Sequence, residues 1–140
     1  MRLREIPTRL ATGAYILHSG LEKRRGTPEL AQGMHGMASG AYPFVSGMEP
    51  TAFLRRLSVG EMTVGCLLLA PFVPTAVAGA ALTGFSGALV TMYLRTPALR
   101  KPGSIWPSQQ GVAISKDAWM LGIGIGLLAD ALADRRNHRD

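Results

Sequence analysis

From Met62 to Leu94 the chain carries no charged side chain, and that run limits what it can fold into. As one helix it would rise about 50 Å, against a hydrocarbon core of roughly 30 Å. It is too long for one span and the right length for two. Pro71 and Pro74 supply the break, because each removes a backbone donor and pushes the preceding residue out of helical geometry. The expected element is a hairpin of membrane helices, the first over 51–72 and the second over 74–94. Arg55 and Arg56 near one end and Arg95 at the other are placed to snorkel to headgroups.

Two further spans are expected. The first covers 4–21, with Pro7 in its first turn and Glu22-Lys23-Arg24-Arg25 closing it. Arg2 and Arg4 give it a basic start, but Pro7, Arg9 and His18 interrupt the apolar region, so it is expected to be retained and not cleaved. The last covers 117–133. Between them lie connecting segments 22–50 and 95–116 and a tail, 134–140, expected to be disordered from Asn137 onward. The glycines and prolines of 26–50 predict a loop with small helical pieces at most, folded back on the bundle mouth. Pro97, Pro102, Gly103 and Pro107 do the same for the second connection, where Trp106 and then Lys116 read as interface anchors. The fold class is an all-α membrane protein: a single four-transmembrane-helix bundle with a helix 2–helix 3 hairpin and both termini on one side.

Composition fits that reading. The chain has 140 residues, a net charge of +6 and 17 glycines, which dilute the spans; mean hydropathy is only +0.17. Its basic residues sit at the ends of apolar segments and lack interleaved aromatics, which suits anionic headgroups and argues against nucleic acid. The single cysteine, Cys66, cannot form an internal disulfide or dithiol pair. The connecting segments hold more basic residues than the termini, which by the positive-inside rule places the loops in the cytoplasm.

Small residues mark expected packing faces. Ala76, Ala80, Gly84 and Ala88 recur every fourth position, and Gly122 and Gly126 do so in the last span; helix association in lipid depends on such close approach. Three polar residues are candidates for an intramembrane site. Glu61 lies near the midplane, where a carboxylate must be protonated, paired or facing water. It reads either as a proton relay or headgroup ligand, or as an interhelical hydrogen bond. His18 and Asp130, each a turn from a helix end, are its possible companions, although both suit an interface and a direct His18–Glu61 pair is not implied. Met34, His35, Met37 and Met48 contain soft-metal ligand types, but their irregular spacing favours packing. No catalytic residue, metal site or cofactor of the chain's own is expected, beyond a possible quinone or lipid contact.

Four features resemble the DoxX-like family of small integral membrane proteins. Gly20-Leu21-Glu22-Lys23 is similar to its glycine-x-x-lysine ending of the first span, and Val59-Gly60-Glu61-Met62-Thr63-Val64-Gly65 to its acid-then-glycine pattern. A proline-bearing turn leads to the third helix, and Lys116-Asp117 opens the fourth. The resemblance implies an accessory or anchoring subunit of a membrane redox or respiratory, quinone-linked complex. It implies a multi-pass inner-membrane location with cytoplasmic termini, against the charge count. Its expected partners are lipids and other membrane redox subunits or a second copy. The alternative is a small quinone-linked oxidoreductase or a proton-coupled transporter using Glu61.

Overall fold

The computed structural model describes residues 1–137. Every regular element in it is helical, and five helices exceed two turns: α1 (Ile6–Arg24), α2 (Pro28–Ala41), α3 (Pro50–Leu69), α4 (Thr75–Arg95) and, after the single turn α5 (Val112–Ser115), α6 (Asp117–Asn137). Prolines occupy the first turn of α1, α2 and α3, where the missing N–H has no helical partner to lose. Glu49 caps α3 by accepting from the N–H groups of Thr51 (3.0 Å) and Ala52 (2.8 Å). Those two backbone bonds hold its carboxyl below the usual carboxylate range.

The α2 helix corrects the expectation of a mostly irregular 26–50 segment. Thr27 accepts from Leu30 N to cap it, and Ala31, Ala38 and Ala41 bury one face. Gly33, Gly36 and Gly40 fall together on the opposite face, where nothing lies within 4 Å of a would-be Cβ. Glycine costs a helix only about 1 kcal/mol per position, which a capped and half-buried helix absorbs. The last helix also outruns its expected end: 134–137 continue α6, and 138–140, with His138, lie outside the described residues.

The long helices associate as two tight pairs, α1 with α3 and α4 with α6. Ile16, Val64, Leu68, Ala78, Leu82 and Leu127 form the core that joins the pairs. In the first pair a Cβ on Gly65 would come within 2.8 Å of Leu17 N, and one on Gly20 within 2.9 Å of Met62 N. In the second, a Cβ on Gly124 would sit 2.8 Å from Thr83 N. The expected small-residue faces are therefore corrected. Ala80, Gly84 and Ala88 are exposed, and Gly84, Gly122 and Gly126 have open space where a Cβ would be. Four-residue spacing located a face on each helix but not the one turned toward the partner.

Chain start, α3–α4 turn and α6 end gather at one end of the bundle. The N-terminal ammonium donates to Pro71 O at 3.2 Å, and Arg4 bridges Asp130 (2.8 Å) and Asp134 (2.9 Å), with Arg2 also on Asp134. Arg9 fixes this end. Its guanidinium is fully buried, and its five donors go to Leu67 O, Leu68 O, Ala70 O, Val73 O and Thr75 Oγ1 at 2.9–3.4 Å. A helix leaves its last carbonyls without intrahelical partners; here an arginine from α1 takes two of them and two more from the turn. Glu5, buried 3.9 Å away, offsets the charge and accepts from the Thr75 hydroxyl at 2.6 Å.

Candidate functional site

At the opposite end, the two connecting segments lie over α1, α3 and α4. They leave a cavity of about 650 Å³. Leu30, Met34 and Met37 of α2 form one wall, Leu57 of α3 and Leu89 and Met92 of α4 another, and Ile114 of α5 closes it. The apolar walls come from helix faces that found no partner in the two pairs.

Set into those walls is a cluster of charges. Glu61, midway along α3, is only 4% exposed. Lys23, from the last turn of α1, reaches it: Nζ lies 3.0 Å from Oε1 and 2.9 Å from Oε2. The ammonium thus sits astride both carboxylate oxygens. Lys23 also donates to Ser19 Oγ at 2.7 Å. Asp117, buried at the start of α6, has Lys116 Nζ 3.6 Å away and feels the charges of both Glu61 and Lys23. Lys116 in turn lies 5.5 Å from the Tyr15 ring. Three acids (Glu22, Glu61, Asp117) and three bases (Lys23, Arg25, Lys116) thus border one space, from the end of α1, from α3 and from the α5–α6 junction. Burying Glu61 alone would cost several kcal/mol; pairing with Lys23 makes it tolerable.

The expected constellation of Glu61, His18 and Asp130 is brought together only in part. His18 lines the cavity with Glu61 but shares no hydrogen bond with it. Asp130 stands at the other end of the bundle on Arg4, so its place with Glu61 is corrected. Asp130, about two turns from the end of α6, falls beside the chain start, because α6 runs antiparallel to α4. Lys23 was legible only as a charge that ends a span, and Asp117 only as the opening of the fourth.

The expected anchors divide. Arg55, Arg56 and Trp106 are exposed. Arg95 instead donates to Ala41 O at 3.1 Å and covers the Tyr42 ring, tying α4 to α2. Of the methionine-rich segment, Met34 and Met37 face the cavity, while His35 Nε2 bonds Val45 O at 2.9 Å. Cys66 is exposed on α3.

No family model, curated protein or solved structure matches this chain. Among the described residues, two helical segments, Thr75–Arg95 and Val112–Asn137, are long and apolar enough to cross a membrane.

Proposed function

We propose that the chain is a four-span membrane protein of DoxX-like type, acting as an accessory subunit of a membrane redox complex. In this reading it holds a quinone-type molecule in the Glu61–Lys23 cavity. The observation that carries the reading is the cavity: a mostly apolar space of about 650 Å³ with two buried, ion-paired carboxylates, Glu61 and Asp117, in its wall. Binding sites for amphipathic small molecules have this composition, mostly apolar with a few placed polar groups. The Lys23–Glu61 pair lies within the two segments that carry the family resemblance.

Exposed apolar side chains support four spans and not two. Leu10 and Leu21 on α1, Val59 on α3, Val77 and Leu94 on α4, and Ile125 and Leu132 on α6 are each 40–57% exposed. In water these would form outward apolar surfaces on all four helices; in lipid they are solvated. Of the charges that lower the hydropathy of α1 and α3, Arg9 and Glu61 are buried, while Glu22, Arg24, Arg55 and Arg56 are exposed toward one end of the pair.

The test is purification of tagged protein from its native membranes in mild detergent, with mass spectrometry and a visible absorption spectrum. Co-purifying flavin, haem or iron–sulfur subunits are the expected result. Recovery of the chain alone, without chromophore or extractable quinone, overturns the accessory role and moves the cavity to proton-coupled transport.

A further inference from the structure

The outer face of the α1–α3 pair carries a groove separate from the Glu61 cavity. It encloses about 470 Å³ and runs along α3 over Val59, Met62, Thr63, Cys66, Leu67 and Ala70, with Arg24 from the last turn of α1 beside it. The hydroxyl in this wall, Thr63 Oγ1, already donates to Val59 O at 2.8 Å. The wall therefore asks for no polar partner.

The antiparallel register sets three arginines at the mouth of the groove. Ser58 Oγ donates to Gly20 O and Gly26 packs on Leu54, so Arg24 falls level with Arg55 and Arg56. On α3 those two lie within about 60° of Val59 around the axis, on the face of the groove. All three are exposed, and among the described residues none forms an ion pair. The nearby acids are committed elsewhere. Glu49, which feels the charge of Arg55, caps α3 through Thr51 and Ala52, and Glu22 borders the cavity.

Guanidinium forks at the head of an apolar groove match an amphiphile with an anionic headgroup, because such forks take phosphate in bidentate fashion. The lengths agree. Arg56 precedes Cys66 by ten positions, about 15 Å of helix, and one leaflet's hydrocarbon layer is about half of 30 Å. A zwitterionic headgroup brings its own cation against the arginines and loses part of the attraction. Resting on the reading that α1 and α3 span the membrane, we infer that this groove binds an anionic phospholipid of the leaflet on the cavity side. Its phosphate lies on Arg24, Arg55 and Arg56, and one acyl chain lies along Val59, Met62 and Cys66.

The test is native mass spectrometry of the purified full chain in detergent, titrated with dioleoyl phosphatidylglycerol or dioleoyl phosphatidylcholine. Wild type should bind phosphatidylglycerol at least about tenfold more tightly. Arg24→Gln/Arg55→Gln/Arg56→Gln should bring the two lipids to parity. Thr63→Trp, which fills the groove and keeps every arginine, should weaken phosphatidylglycerol binding at least about fivefold. Arg135→Gln/Arg136→Gln, which removes charge at the end of α6, should keep the preference. Equal affinities in wild type overturn the inference and leave the four spans standing. A chain that stays monodisperse in buffer without detergent overturns the spans as well. The site is also overturned by a preference that survives the triple variant, by unaltered binding in Thr63→Trp, or by an equal loss in Arg135→Gln/Arg136→Gln, which reduces the effect to net charge. The wild-type ratio and Thr63→Trp decide the matter even where the triple variant does not fold.

Discussion

Arg9 and Glu61 show two ways in which this chain keeps a charged side chain inside a helical bundle. Arg9 is neutralised by geometry: its planar fork meets four carbonyls and a hydroxyl where α3 ends and the chain turns into α4. Removing it strands those carbonyls and leaves Glu5 buried without its cation. Arg9→Met should therefore destabilise the bundle by about 3 kcal/mol, read as early loss of monodisperse protein on heating in detergent. Arg9→Lys should fall between, since an ammonium has only three donors. Unchanged thermal stability in Arg9→Met would show that water or lipid headgroups serve those carbonyls equally well. Glu61 relies on one ion pair, with Lys23, where Arg9 has five hydrogen bonds, an arrangement poorer for stability.

The helices are held in pairs by a few close approaches, not by long stripes of small residues. Gly65 lets α1 lie against α3, and Gly124 lets α6 lie against α4. Substitution at either should separate a pair: Gly65→Val and Gly124→Val should each lose several kcal/mol, or fail to give folded protein, because the added atoms meet backbone. Gly84→Val and Gly122→Val, on the same or facing helices, should stay within about 1 kcal/mol, roughly the scale of a helix-propensity change. Thermal unfolding of the four variants compares seam with outer face directly. Equal losses at Gly84 and Gly65 would point to a second copy or partner covering the outer face. The glycines of α2 follow the same logic: Gly33, Gly36 and Gly40 stand away from the bundle, so a segment rich in helix breakers still forms fourteen helical residues.

At the scale of the molecule, the bundle has two unlike ends. One gathers the chain start, the α3–α4 turn and the end of α6 around Arg9 and the Arg2, Arg4, Asp130 and Asp134 cluster. The other opens into the cavity beneath the connecting segments. If the four long helices all span the membrane, single cysteines at the two ends should label from opposite sides. In a Cys66→Ser background, Phe72→Cys should react with an impermeant maleimide from the side of the termini, and Ser46→Cys and Gln109→Cys from the other. Labelling of Phe72→Cys and Gln109→Cys from the same side would exclude the four-span arrangement. The same experiment decides whether the termini are cytoplasmic, as the family resemblance implies, or external, as the charge count implies.

By itself the sequence determined the helical class and located the two most apolar long helices, α4 and α6. An uncharged run with two prolines in its middle has few other solutions, and the charged blocks at 22–25 and 134–136 fall in the last turns of α1 and α6. It also singled out Glu61, because an acid far from any helix end must find a partner. What it did not determine was which partner. Lys23 lies 38 positions away and Asp117 lies 56, and only the antiparallel packing of α1 on α3, with α5 and α6 folded back over the gap, brings them to one cavity. The seams were decided in the same way. Periodicity says that a helix has a face, but the rotation of that face about the axis is set by which neighbour's backbone comes closest, and this is a property of the whole bundle.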